Sequence, residues 1–166
     1  TTIGYGGQVV LPLRITPVDV DAPVKLAVGL DIGVCREICV FESAQLAHTL
    51  VPGLDEYAWL VQEARAAVPG PGALVGLESV VCRIGGEGRE RSFEAELHFD
   101  KPMPEAMVVV EGADGMWFHG AKTVASGEIL QVRAELSLIE EAAWIGRDAV
   151  RMTVLAKDMA ADVRGC

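Results

Sequence analysis

The sequence predicts an all-β protein made of immunoglobulin-like antiparallel β-sandwiches with one linking helix. Three observations predict it. Several segments of strand length alternate apolar and polar residues, which places every second side chain on the same sheet face. Turn signals rich in Gly and Pro separate these segments at short intervals. Only one segment carries the three-and-four apolar spacing of a helix.

The first segment, residues 8–16 (Gln-Val-Val-Leu-Pro-Leu-Arg-Ile-Thr), reads as a strand, with Pro12 pointing to an edge position or a bulge. Asp19-Val20-Asp21-Ala22-Pro23 is a turn. From Val24 to Val34 the even positions are Val24, Leu26, Val28, Leu30, Ile32 and Val34, and the odd ones are Lys25, Ala27, Gly29, Asp31 and Gly33. If that register continues, Cys35 joins the polar, small-residue face. A further run from Val40 to Val51 sets Leu46, His48 and Leu50 on one face. These make about three strands, too few for a self-sufficient sandwich, so more strands are expected before Thr1. The start at Thr1, without an initiator Met or an apolar leader, fits a mature form or, as we expect, an excised fragment.

Between Pro52-Gly53 and Pro69-Gly70-Pro71-Gly72, the residues Leu54, Tyr57, Ala58, Val61, Ala64, Arg65 and Val68 form one helical stripe. Asp55 and Glu56 are expected in its first turn, where the helix dipole favours acids. The Pro/Gly run ends the helix and marks the boundary. After it, Phe93, Ala95, Leu97 and Phe99 alternate with Glu94, Glu96, His98 and Asp100, and Leu130 to Leu138 alternate in the same way. Further strands are expected at Leu74 to Ile84, Met107 to Glu111, Trp117 to Ala125 and Val150 to Leu155, and a short helical turn at 139–145. Strands at this spacing predict a sandwich. The expected organisation is residues 1–53 as the C-terminal part of a truncated immunoglobulin-like domain, 54–72 as helix and linker, and 73–166 as a second such domain.

Composition narrows the function classes. At 166 residues and 51% hydrophobic, the chain has ample material for a core. With 14 basic and 24 acidic residues its net charge is -10, and it carries no basic run, which argues against nucleic acid or anionic lipid and for a protein partner. No apolar run reaches the length of a membrane span, so direct membrane insertion is not expected. No Ser/His/Asp signature, phosphate loop or dinucleotide turn appears, and no cofactor is expected.

The candidate chemistry lies in Cys35-Arg36-Glu37-Ile38-Cys39. Three readings compete for this pair. As a redox disulfide it needs only accessible thiols in neighbouring backbone. As a zinc site it lacks a second close pair, since His48, His98 and His119 are scattered; copper(I), held by two thiolates alone, is the form in which a metal reading survives. As a staple it closes too small a loop to remove much unfolded-chain entropy. Arg36 would favour a thiolate and Glu37 oppose it, or both are solvated loop charges. Gly29 and Gly33, on the face of Cys35, would leave a shallow surface for a partner's backbone, or serve only strand twist.

Cys82 shares its parity with Val80 and Ile84 and is expected to face the core, while Cys166 ends the chain. A structural disulfide between them would tie the first strand of the second domain to its last and contribute about 4 to 5 kcal/mol in the chain-entropy picture. The alternative is one buried free thiol and one frayed terminal thiol. Two disulfides would imply an oxidising compartment. Trp117, Phe118 and Trp144 are expected in the core rather than as a ligand platform, His48 as a tolerated or partly buried strand residue, and the five Met residues form no cluster in sequence.

The stretch Ile3-Gly-Tyr-Gly-Gly-Gln-Val-Val-Leu-Pro-Leu, with Gly33-Val-Cys-Arg-Glu-Ile-Cys-Val-Phe-Glu-Ser-Ala, resembles the periplasmic amino-terminal domain of the DsbD and ScsB transmembrane disulfide reductases. Phe41 stands where that pattern usually has proline. The resemblance covers about residues 3–51 and is looser beyond Gly72, where it rests on Cys82 and Gly165-Cys166. It implies a periplasmic thiol-disulfide oxidoreductase domain. Such a domain takes electrons from a membrane donor and passes them to thioredoxin-like or disulfide isomerase-like proteins, with Cys39 forming mixed disulfides and Cys35 resolving them. The alternative is a non-catalytic β-sandwich module that binds a protein or copper(I). In either case the exposed strand edges of a truncated first domain offer a route to dimerisation.

Overall fold

Every residue expected to point inward along the two clearest strands does so. In the computed structural model, which describes residues 3–53, 56–140, 145–157 and 159–166, Phe93, Ala95, Leu97 and Phe99 are buried on strand β5 (Glu90–Phe99), and Leu130, Val132, Ala134, Leu136 and Leu138 on β8 (Ile129–Leu138). Their neighbours Glu94, Glu96, Gln131, Arg133 and Glu135 are exposed. These strands pair antiparallel at the centre of a four-stranded sheet in the order β4-β5-β8-β7, with β4 at Leu77–Gly85 and β7 at Met116–Ser126. A second sheet, in the order β3-β10-β9-β6, joins β3 (Gly70–Pro71), β10 (Met159–Arg164), β9 (Arg151–Ala156) and β6 (Met107–Glu111). Its inward residues Val108, Val110, Met152, Val154, Ala161 and Val163 complete one core with those of the first sheet. The fold is thus all-β, with a β-sandwich and, among the described residues, one α-helix.

Two strands of the second sheet are absent from the sequence-based expectation. In β10 the run Met159-Ala160-Ala161-Asp162-Val163-Arg164 has few β-branched residues, and only its neighbour β9 makes it a strand. Strand β3 lies in the expected linker: Gly70–Pro71 pairs in parallel with β10 at the sheet edge, where a proline costs no ladder bond. A 3-10 turn at Gly72–Val75 follows and ends on Gly76 in the left-handed region, where an added Cβ would overlap the Asp100 carboxylate. The expected strand at Leu74 accordingly begins at Leu77.

The chain divides into two compact units, Thr1–Ala67 and Val68–Cys166. The sandwich is the second. The first is a long antiparallel hairpin, β1 (Val24–Cys35) and β2 (Cys39–Leu50), followed by the helix α1 (Ala58–Ala66). The expected strand over 8–16 does not form: these residues make no ladder, and Pro12 removes a donor where the strand would have needed one. Helix α1 begins later than its apolar stripe suggested, so Glu56 lies outside it and Asp55 falls outside the described residues. None of its side chains is buried.

Most of the expected helical turn at 139–145 also falls outside the described residues; a 3-10 turn lies at Arg147–Ala149. Trp117 is corrected from core to surface, at 68% exposed, while its neighbour Phe118 packs edge-to-face on Phe93 with ring centroids 5.0 Å apart. Successive residues of a strand point to opposite faces, so the two could not both be core. Trp144 lies outside the described residues.

Candidate redox hairpin

Strands β1 and β2 pair without a shift over their whole length, from Val24 opposite Leu50 to Cys35 opposite Cys39. Three residues, Arg36, Glu37 and Ile38, cross between the strands, and the Arg36 backbone N–H donates to the Ile38 carbonyl at 3.0 Å. The last pair of the ladder is the disulfide Cys35–Cys39. Directly opposite residues of an antiparallel pair project to the same face, so this ladder brings both thiols together. Both cysteines are exposed, and a shallow concavity at the tip is lined by Val34, Cys35, Arg36, Glu37, Ile38 and Val40.

Alternation along β1 holds near its base, where Val24, Leu26, Val28 and Leu30 are half-buried and the odd positions exposed. Towards the tip it fades: Ile32 is 42% and Val34 57% exposed, because nothing among the described residues covers either face there. His48, opposite Leu26, is exposed rather than partly buried. On the cysteine face, the expected glycine surface narrows to one position. A Cβ at Gly29 would lie 3.1 Å from the Gln45 amide, whose side chain folds across that glycine. At Gly33 it would lie 3.9 Å from both the Cys35 Sγ and the Phe41 ring, so this glycine sits between the sulfur and the aromatic side chain. Ser43 Oγ donates to Asp31 Oδ1 on the same face.

The second disulfide has a different setting. Cys82 is 7% exposed, on β4 among the core side chains, and its bond to Cys166 spans a sequence separation of 84 and links β4 to the segment after β10 in the opposite sheet. Cys166 is half-buried against the core, beside a cleft that Arg91 and Arg147 also line. Cys82 is thus held among the core side chains, whereas Cys35 and Cys39 are both exposed.

The remaining chemical residues do not assemble a site. His98 and His119 lie on the outer face of the sandwich and His48 on the hairpin; among the described residues no group of three or more His, Cys, Asp or Glu could hold a metal ion. Met103 and Met152 are core residues, and Met116 and Met159 pack against the same core. One juxtaposition escaped the sequence: His119 Nε2 lies 2.9 Å from Ser137 Oγ, and its Nδ1 3.4 Å from Glu135. Ser137 donates its own proton to Glu90 Oε2 at 2.7 Å, so its oxygen receives the His119 N–H. The imidazole therefore offers no lone pair to activate the hydroxyl, and the group is a surface network. Among the described residues no helix is long and apolar enough to cross a membrane.

No protein-family profile matches the chain, and no curated protein matches it by sequence. Among solved structures it is similar to the N-terminal periplasmic domain of ScsB from Proteus mirabilis, with a TM-score of 0.60 and 19% sequence identity, over 84% of this chain. The match spans 56% of that chain's length. This likeness is one of fold.

Proposed function

We propose that the chain is a thiol-disulfide exchange module acting through Cys35 and Cys39. The observation that carries this reading is the placement of an exposed disulfide as the last rung of a hairpin, outside any core. Closing so short a loop contributes little to stability, while exposure leaves both sulfurs open to attack. The likeness of fold to the ScsB periplasmic domain supports the same reading.

In the forward direction the reduced Cys39 thiolate attacks a sulfur of a partner disulfide. The partner's S–S bond breaks, a mixed disulfide forms through Cys39, and the partner's other sulfur leaves as a thiolate. Cys35 then attacks Cys39 Sγ, which releases the second partner sulfur and leaves Cys35–Cys39 oxidised. Two electrons pass to the partner, and a membrane-bound dithiol donor restores the hairpin. We place this chemistry in the periplasm, with disulfide proteins of thioredoxin-like or isomerase-like type as acceptors.

The test is trapping. With Cys35→Ser the resolving step is lost, so incubation of the reduced variant with an oxidised thioredoxin-fold protein should accumulate a mixed disulfide that peptide mapping assigns to Cys39. Absence of that adduct, or equal trapping when Cys39 is also replaced, would remove the exchange role.

A further inference from the structure

Four apolar side chains crowd the hairpin tip: Ile38 is 76% exposed, Phe41 86%, Val34 57% and Val40 50%. Ile38 lies in the loop between the two cysteines, and Phe41 shares their face, two residues beyond Cys39. Beside Phe41 the bare backbone of Gly33 leaves room between the ring and the Cys35 sulfur. The charges of the tip, Arg36 and Glu37, cancel, whereas the whole chain carries -10.

We infer that Phe41, with Ile38, sets the specificity of exchange, favouring protein disulfides flanked by apolar side chains over small anionic disulfides such as oxidised glutathione. This rests on the exchange reading above. A partner segment that seats an apolar side chain over Gly33, against Phe41, removes ring surface from water while it brings its sulfur to Cys39. Oxidised glutathione, a net anion at neutral pH, has no apolar flank to cover the ring and approaches a chain of like charge. The position of Phe41 in the register, adjacent to but not part of the reacting pair, makes it a recognition residue whose loss leaves the chemical step intact.

The experiment compares second-order rates at which the reduced 166-residue chain loses its Cys39 thiol to two probes. One is a cystine peptide with Phe and Leu flanking each half-cystine; the other is oxidised glutathione. The unmodified chain should react faster with the peptide. Phe41→Ala should slow the peptide reaction about tenfold, the kinetic equivalent of losing one good apolar contact, and leave the glutathione rate within about twofold. Phe41→Leu should restore most of the peptide rate. Because Phe41 is exposed, its removal leaves the fold intact, which near-unchanged thermal unfolding would verify. If Phe41→Ala slows both probes equally, or neither, the specificity role is overturned while exchange itself stands. If the unmodified chain reacts with neither probe, exchange fails and the inference with it.

Discussion

The hairpin of the first unit and the sandwich of the second are written in the same pattern of alternating residues, yet among the described residues only those of the sandwich form a core. Leu97 and Leu130, on β5 and β8, are fully buried, whereas Leu46, on β2, is 58% exposed and no described side chain of the hairpin unit is buried. Alternation specifies which residues share a face; burial needs a second layer to cover that face. The disulfides repeat the contrast. Cys82–Cys166 ties two sheets together through a buried sulfur, while Cys35–Cys39 closes an exposed tip. One unit is built for stability, and the other leaves its sulfur chemistry open.

The largest expected effect lies in the sandwich core. Phe93→Ala removes a fully buried ring that also packs on Phe118 and should cost about 3 to 5 kcal/mol in denaturant unfolding. Leu46→Ala on the hairpin should cost well under about 1 kcal/mol, in line with its exposure. Equal costs would erase the contrast between the units. Of comparable size, replacing Cys82 and Cys166 by Ala should lower stability by about 4 to 5 kcal/mol, while replacing Cys35 and Cys39 by Ser should lower it by about 2 kcal/mol or less, because the loop is so much shorter. Equilibrium unfolding of the two double variants measures both.

The smallest effect is electrostatic and again confined to the sandwich. Asp162 on β10 feels an upward push on its pKa from partial burial, but hydrogen bonds from Arg151 and Arg164, with the charges of both, hold the carboxyl below its ordinary value. A lowered folded-state pKa means that the unfolded chain binds the proton more tightly. This stabilisation is therefore fully present above the ordinary carboxylate range and is lost as the pH falls through the lowered value. Since both arginines are substantially exposed, the contribution is about 1 kcal/mol or less. Asp162→Asn should destabilise the sandwich by that amount at neutral pH and flatten the acid end of its stability profile. A variant profile parallel to that of the unmodified chain would remove the pair from the account.

Much of this could be read from the sequence where burial and pattern coincide. Strands β5, β6, β8 and β9 carry residues that favour strands on both chemical and periodic grounds, and their ends lie within three residues of the expected places. The exposure of Cys35 agrees with its parity, but at the tip residues of both parities are exposed, so parity is not its cause. What escaped depends on tertiary context. Strand β10 is too rich in alanine to announce itself, β3 is a Gly-Pro pair that only its neighbour makes a strand, and residues 8–16 have the composition of a strand without a partner to pair with. Trp117 was misplaced because apolar character was weighed without parity. At the site, the pairing of Phe41 with Gly33 depends on a register that no local pattern fixes, so the residues beside the sulfur emerged only from the ladder.

The central claim is that the two disulfides differ in kind, and their reduction potentials test it most directly. Equilibrating the chain in dithiothreitol redox buffers, quenching with an alkylating agent and mapping the labelled peptides gives each potential separately. The account predicts that Cys35–Cys39 opens at a potential above about -300 mV and Cys82–Cys166 below it. A value below about -300 mV for Cys35–Cys39 would make it a structural bond and contradict the exchange function.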